Sequence, residues 1–217
     1  MNKFSFFKRP YFLLFPIFGM GVFILLYILA ALVYPGGSWS ILSQHGFSFW
    51  NNYLCDLLDF YAVNGEINTA RILARTGLFV LCISLIILWY HLPRLFIYKS
   101  VNLIIMKICG ILALITILFL AIGTHDLIVR IAGVLGVIAF ITLFVELFKN
   151  SFYKLAAFGI FCLIIFLINY YIYETGSYLI ALPVIQKFTF LAYILWFGFL
   201  DIALYQSVNS NNKHGHE

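Results

Sequence analysis

The stretch YFLLFPIFGMGVFILLYILAALVY, residues 11–34, contains no charged residue. An α-helix rises about 1.5 Å per residue, so this stretch can cross a bilayer hydrocarbon core about 30 Å thick. It is also longer than the apolar region of a secretory signal peptide, which has about 7–15 residues. We therefore predict that it is an uncleaved first membrane helix.

Further apolar runs of similar length lie at residues 72–92, 102–123, 127–147, 152–173 and 184–207. The connections are short except for the first loop, residues 35–70, and the polar end of the chain, residues 208–217, is expected to be a disordered tail. The sequence therefore predicts one transmembrane domain over residues 1–217. Its class is all-α, a polytopic membrane bundle of about six helices.

The composition of the whole chain leads to the same class. Of the 217 residues, 64% are hydrophobic and 10% are charged, whereas an ordinary soluble domain has about 25% charged residues. So few charges cannot cover a water-facing surface. This excludes a soluble enzyme, a nucleic-acid-binding protein and a disordered chain, and the net charge of +5 reflects basic residues at the ends of the apolar runs.

The distribution of Lys and Arg predicts the orientation. With both termini in the cytoplasm of a cell (inner or plasma) membrane, the cytoplasmic side has eight basic residues: Lys3, Lys8, Arg9, Arg94, Lys99, Lys149, Lys154 and Lys213. The outer side has four: Arg71, Arg75, Arg130 and Lys187. Cytoplasmic loops carry the excess of basic residues, so the first loop is expected to face outwards.

The first loop contains a segment with helical periodicity, Ser48–Ala62. At about 100° per residue, its polar residues lie within an arc of about 80°; they are Ser48, Asn52, Asp56 and Asp59. Apolar side chains such as Trp50 and Leu57 lie opposite, so the pattern predicts an amphipathic helix. This helix either lies on the membrane surface or turns its acidic stripe inwards to line an outward-facing polar pocket.

Two arginines begin the second helix, where cations are unfavourable. Arg71 and Arg75 are one turn apart at a helix N-terminus, and the helix dipole opposes positive charge there. One interpretation is ion pairing with Asp56, Asp59 or Glu66, and we expect Asp56 and Arg71 to be coupled partners. The other is binding of an anionic group such as a lipid phosphate, which suits the geometry of arginine.

The segment NNYLCDLLDFYAVNGEINTARILARTGLF, residues 51–79, follows YPGGS at 34–38 and HGFSFW at 45–50. It resembles bacterial members of the uncharacterised family called domain of unknown function 998, through Asn52, Asp56, Asn68 and Arg71. The resemblance implies an integral membrane protein of about six helices with a polar first loop. It implies no established activity.

His125 and Asp126 lie in the short turn before the fourth helix, on the same side as the first loop. Asp126 and Arg130 are four residues apart, which favours a local ion pair. No metal-binding spacing of His or Cys is present, so we expect neither a metal nor a cofactor. The candidate polar pocket comprises Asn52, Asp56, Asp59, Asn68, Arg71, Arg75, His125 and Asp126.

Glu146 and Asp201 lie towards the cytoplasmic ends of the fourth and sixth helices. We expect them to be partly hydrated or paired with Lys149 or Lys154, because no acidic residue lies at the middle of a predicted helix. This position does not favour an ion-driven transporter with a relay at the bilayer centre.

Two classes of function fit these patterns. The first is a protein without catalytic activity that binds a lipid or small ligand in the polar pocket of the first loop. The second is a lipid-modifying enzyme, with Asp56 or Asp59 as general base and the two arginines holding a phosphate; a small transporter is a weaker alternative. The expected partners are membrane lipids, and a second copy of the chain or another membrane protein, but not nucleic acid.

The orientation gives a direct prediction, tested on a variant that lacks reactive native cysteines. His45→Cys should be labelled by a membrane-impermeant maleimide in intact cells, because the first loop faces outwards. Lys99→Cys should be labelled only after the membrane is permeabilised. Labelling of the two positions in the opposite sense would overturn the orientation.

Overall fold

The structure is a computed structural model that describes residues 10–122 and 125–214. It contains the helices α1 Phe15–Leu32, α2 Arg71–His91, α3 Val101–Leu118, α4 His125–Lys149, α5 Tyr153–Thr175 and α6 Leu182–His214. No β-strand occurs in the described residues. The all-α class and the six-helix bundle are therefore confirmed. Short 3-10 turns adjoin the helices at Pro10–Leu14, Leu92–Leu95 and Phe119–Ile122.

The outer surface of the bundle is apolar. All six helices are long and apolar enough to cross a membrane, and large side chains point outwards from them: Phe18, Leu32 and Val101 are 69%, 77% and 71% exposed. Soluble monomers rarely expose contiguous apolar surface on this scale. The chain is therefore a multi-pass membrane protein, and six crossings put the start of α1 and the end of α6 on one side. We call this the terminal side, and the side with residues 33–70 the loop side.

Helices that follow each other in the chain pack against each other, and α6 returns to contact α1. Aromatic rings fill the centre of the bundle, where Phe140 of α4 connects α2 with α6. Its ring centroid lies 5.9 Å from that of Trp89, 5.3 Å from Tyr193 and 5.4 Å from Trp196. Neighbouring helices are therefore joined through one shared aromatic core.

A glycine allows α5 to approach the central tryptophan of α6. A Cβ atom on Gly159 would lie 2.4 Å from the Trp196 ring and 2.5 Å from the Phe144 ring. Trp196 is fully buried, and its indole N–H donates to the Leu155 carbonyl at 2.9 Å. The indole therefore cannot move away without breaking this hydrogen bond.

The amphipathic helix predicted over Ser48–Ala62 is wrong. The regular element in this segment is the 3-10 turn Cys55–Leu57. The Asn52 side chain accepts from the Ser48 backbone N–H, and the Asp56 carboxylate accepts from the Tyr53 backbone N–H. Bonds from side chains to nearby backbone groups compete with the helical hydrogen-bond ladder, so the polar residues that suggested a helix prevent one.

The predicted disordered tail, residues 208–217, is also wrong for most of its length. α6 continues to His214, and residues 215–217 lie outside the described part. Val208 is buried in the same apolar cluster as Leu13, which lies in the Pro10–Leu14 turn. α6 therefore continues past its predicted end at residue 207, and this extension packs against the Pro10–Leu14 turn.

Gly159→Ala should destabilise the bundle, because the added methyl group meets two buried aromatic rings. Overpacking of this kind costs about 1–3 kcal/mol. The matched control is Gly136→Ala in α4, because a Cβ there meets nothing within 4 Å. Melting temperatures of the two purified variants measure the difference, and equal values would contradict the close α5–α6 contact.

Candidate functional site

Two glycines set the path of the first loop immediately after α1. Gly36 and Gly37 have φ values of +146° and +80°, a region that residues with a Cβ rarely adopt. A Cβ on Gly36 would lie 2.3 Å from the Gln44 carbonyl oxygen, and one on Gly37 would lie 2.4 Å from the Asn64 nitrogen. The Gly37 N–H donates to the Gln44 carbonyl at 2.7 Å. The loop therefore turns back on itself at this point.

The Asn52 side chain makes four hydrogen bonds within the loop. It is fully buried, and its amide nitrogen donates to the Gly37 carbonyl at 2.7 Å and to the Asp56 carboxylate at 2.9 Å. Its amide oxygen accepts from the Ser48 backbone N–H at 2.9 Å and from Gln44 Nε2 at 2.8 Å. The amide nitrogen and the amide oxygen thus bind two groups each. Asn52 thereby joins three parts of the loop, which contain Gly37, residues 44–48 and Asp56.

Asp56 is held next to Asn52 by hydrogen bonds within the loop. Its Oδ2 atom accepts from Asn52 Nδ2 and from the Tyr53 backbone N–H, each at 2.9 Å. Burial raises the pKa of the Asp56 carboxyl above its ordinary value, although these two hydrogen bonds and the positive charge of Lys187 act in the opposite direction. Burial likewise raises the pKa of the adjacent Cys55 thiol to about 12.

Asn68 connects the loop to the start of α2. Its amide nitrogen donates to the backbone carbonyls of Asp56 at 3.0 Å and Asp59 at 2.9 Å. Its amide oxygen accepts from the Ala70 N–H at 3.0 Å, immediately before the helix begins. We call Asn52, Asp56 and Asn68 the loop network.

Two residues of α6 that the sequence did not assign to the site hold the loop network. Lys187 Nζ donates to the Asn52 carbonyl at 2.5 Å, and Gln186 Oε1 accepts from the Leu54 N–H at 2.9 Å. The Lys187 ammonium also lies 5.5 Å and 5.1 Å from the ring centroids of Phe47 and Phe49. One signal was available in the sequence: Lys187 is a lysine near the start of a membrane helix, on the side with few basic residues.

Arg71 and Arg75 lie beside the loop network, but the expected pair of Asp56 with Arg71 is wrong. Arg71 Nη1 donates to the Phe60 carbonyl at 3.2 Å, and Arg75 Nε donates to the Leu58 carbonyl at 2.8 Å. The Asp56 carboxylate accepts from Asn52 and the Tyr53 N–H and not from Arg71. Since Asn52 and the Tyr53 backbone already bind the Asp56 carboxylate, the two arginines bind backbone carbonyls instead.

The expected pair of Asp126 with Arg130 is also wrong. Arg130 forms a two-point ion pair with Glu174 of α5, with Nε–Oε1 and Nη2–Oε2 distances of 3.1 Å. Asp126 accepts from the Tyr173 hydroxyl at 2.5 Å. These contacts place Asp126 between α4 and α5; the side chain of His125 lies outside the described part.

The described residues contain no group of three or more His, Cys, Asp or Glu side chains arranged to hold a metal ion. A cavity of about 420 Å³ opens between Trp39 and the connection from α5 to α6, lined by Gly176 and residues 178–181. The residues of the loop network do not line this cavity. The loop network is a hydrogen-bonded support, with Arg71 and Arg75 beside it and Lys187 bound to it.

Comparison with protein-family models, curated proteins and solved structures found no match. The resemblance to domain of unknown function 998 therefore stays a prediction.

Asn52→Ala should destabilise the loop strongly. It leaves the Gly37 carbonyl and the Ser48 N–H without their partner and removes one of the two hydrogen bonds to the Asp56 carboxylate. Each buried group left unpaired costs about 1–3 kcal/mol. Asn51→Ala is the matched control, because the Asn51 side chain donates one hydrogen bond, to Gln44 Oε1 at 3.1 Å. Thermal unfolding of the detergent-solubilised variants measures both effects. Equal losses would show that Asn52 does not organise the loop.

Proposed function

We propose that this multi-pass membrane protein binds the anionic headgroup of a membrane lipid on the loop side, with Arg71 and Arg75 holding the phosphate. One observation carries the proposal. Two guanidinium groups, one helical turn apart, are positioned by backbone carbonyls of the loop, that of Phe60 for Arg71 and that of Leu58 for Arg75.

The loop orders both arginines before a ligand arrives. The carbonyls of Leu58 and Phe60 fix one donor of each guanidinium, and the Arg71 guanidinium also lies 3.8 Å from the centroid of the Phe60 ring. A guanidinium has several N–H donors in a planar fork, so most donors of both groups are available for phosphate oxygens. Ordering of the side chains in advance lowers the entropic cost of binding.

The electrostatics of this position favour an anion. Both arginines lie in the first two turns of α2, where the helix dipole adds positive potential. Two like charges one turn apart also repel each other. A phosphate between them would offset both effects, and planar guanidinium groups match phosphate geometry well.

The neighbouring surface of α2 favours a lipid as the source of that phosphate. Ile72 and Phe79 are 68% and 55% exposed. At about 100° per residue, both lie within about 60° of Arg75 around the helix. The cations therefore stand at the end of an apolar surface that faces the bilayer, as a headgroup and its acyl chain would require.

The enzyme alternative assigns Asp56 or Asp59 as general base. The recorded bonds to the Asp56 carboxylate come from the loop itself, and no observation on the described residues adds a nucleophile beside it. Binding is therefore the function proposed.

The proposal includes an orientation and a location. The distribution of basic residues supports termini in the cytoplasm, an outward-facing first loop and a cell membrane as the site of the protein. A second copy of the chain or another membrane protein is a further proposed partner, supported by the exposed apolar surface of the bundle.

Arg71→Gln and Arg75→Gln, combined in one variant, should weaken binding of short-chain phosphatidylglycerol by at least about tenfold, because charge-assisted hydrogen bonds contribute about 1.5–3 kcal/mol each. Stabilisation of the purified protein against heat, measured over a range of lipid concentrations, reports the affinity. Short-chain phosphatidylcholine should stabilise the protein less than phosphatidylglycerol does.

The matched control is Arg130→Gln. It removes one positive charge on the loop side, but its guanidinium already pairs with Glu174, so lipid binding should be unchanged. Equal binding by the double variant and the control would overturn the proposal. Equal stabilisation by inorganic phosphate would show that the site takes free phosphate instead of a lipid.

A further inference from the structure

Asp201 is a fully buried carboxyl group in the terminal-side half of α6. Its side chain is 0% exposed, and neither carboxyl oxygen has a hydrogen-bond partner of ordinary geometry in the described residues. The sequence predicted hydration, or pairing with Lys149 or Lys154, for both Glu146 and Asp201. Pairing with Lys149 is confirmed for Glu146 at 3.3 Å, but the prediction is wrong for Asp201.

The buried neighbours of Asp201 along α6 are apolar. Leu200 and Leu204, its neighbours on α6, are fully buried and belong to one cluster with Leu13 and Leu92. α6 contacts α1 and the 3-10 turns at residues 10–14 and 92–95. The backbone amide of Ile17, in the first turn of α1, faces the carboxyl group without completing a hydrogen bond of ordinary geometry.

Among the described residues, the charged and titratable groups around this part of α6 do not pair with Asp201. Lys3, Lys8 and Arg9, which precede the Pro10–Leu14 turn, lie outside the described part. α1 has no charged residue, and the side chain of Tyr11 in the Pro10–Leu14 turn lies outside the described part. The other such groups on the elements packed here are His91, Arg94, Tyr153, Lys154 and Tyr205. In the described residues, the structure records no hydrogen bond or ion pair between Asp201 and any of them.

The Asp201 carboxyl is closed to bulk solvent and pairs with no cation among the described residues, so in its ionised form it would not recover the hydration it loses on burial. Protonation removes the charge and most of this penalty. We propose that Asp201 is a proton-binding site in the membrane interior and holds its proton at neutral pH. The proposal is independent of lipid binding, because the two arginines lie at the opposite end of the bundle.

Glu146 is a matched internal control for this proposal. It is also buried, at 3% exposure. Its Oε1 atom accepts from Ser100 Oγ at 2.9 Å, Asn102 Nδ2 at 3.0 Å and Lys149 Nζ at 3.3 Å. A carboxylate with three donors, one of them a cation, is stabilised in its ionised form. Two buried carboxyl groups in one chain should therefore differ in protonation.

Dicyclohexylcarbodiimide distinguishes the two states, because this apolar reagent adds to a protonated carboxyl group to give an acylurea. In the purified protein at neutral pH, mass spectrometry of peptides should find the adduct on Asp201 and not on Glu146. Labelling should fall as the pH is raised above neutral, approaching tenfold per unit once the acid ionises. A faster reaction of Glu146, or labelling of Asp201 only after unfolding in detergent at the same pH, would overturn the proposal.

A second measurement does not depend on access of the reagent. Asp201→Asn replaces the neutral acid by an uncharged group of the same shape, so its melting temperature at neutral pH should match or exceed that of the natural protein. If the folded state keeps the proton that the unfolded state loses, rising pH destabilises the natural protein relative to Asp201→Asn. A pH-independent difference between the two melting temperatures, or a large loss in Asp201→Asn, would contradict the proposal.

Discussion

A backbone amide or carbonyl in the hydrocarbon core of a bilayer has no water to bind, and each group left unpaired there costs several kcal/mol. An α-helix satisfies these groups within its own segment. This constraint accounts for the architecture of the chain. Six helices satisfy their own backbones, large apolar side chains face outwards, and aromatic rings such as Phe140 and Trp196 fill the interior. Glycines such as Gly159 then determine how closely the helices pack.

Backbone groups of the first loop are also hydrogen-bonded, although the loop is not helical. Asn52 and Asn68 provide amide groups to backbone and side-chain atoms of several loop segments, and both are almost completely buried. Lys187 and Gln186 of α6 then bind two further backbone groups of the loop. The loop is therefore fixed between α2 and α6. A fixed loop can hold the guanidinium groups of Arg71 and Arg75 in place, as recognition of an anion requires.

The charged groups outside the loop network have different surroundings on the loop side and on the terminal side. On the loop side, Arg71 and Arg75 bind backbone carbonyls at the start of α2, at one end of a helix that is long and apolar enough to cross a membrane. On the terminal side, Asp201 is fully buried inside the bundle. Glu146 shows the usual solution for a buried carboxylate, a set of donors that includes Lys149. Asp201 lacks such a set of donors in the described residues, and for this reason we propose that it carries a proton.

The sequence by itself determined the membrane class and the six helices, because hydropathy over one span is a property of consecutive residues. Through a resemblance that stays a prediction, it also singled out Asn52, Asp56, Asn68 and Arg71 as candidate site residues. The tertiary structure decided how they are related. The helix expected over Ser48–Ala62 and the pair of Asp56 with Arg71 followed from local spacing. The actual partners include Gly37 for Asn52 and, from α6, Lys187. Local periodicity cannot predict a hydrogen bond between distant segments, since that bond forms only when the packing of the bundle brings them together.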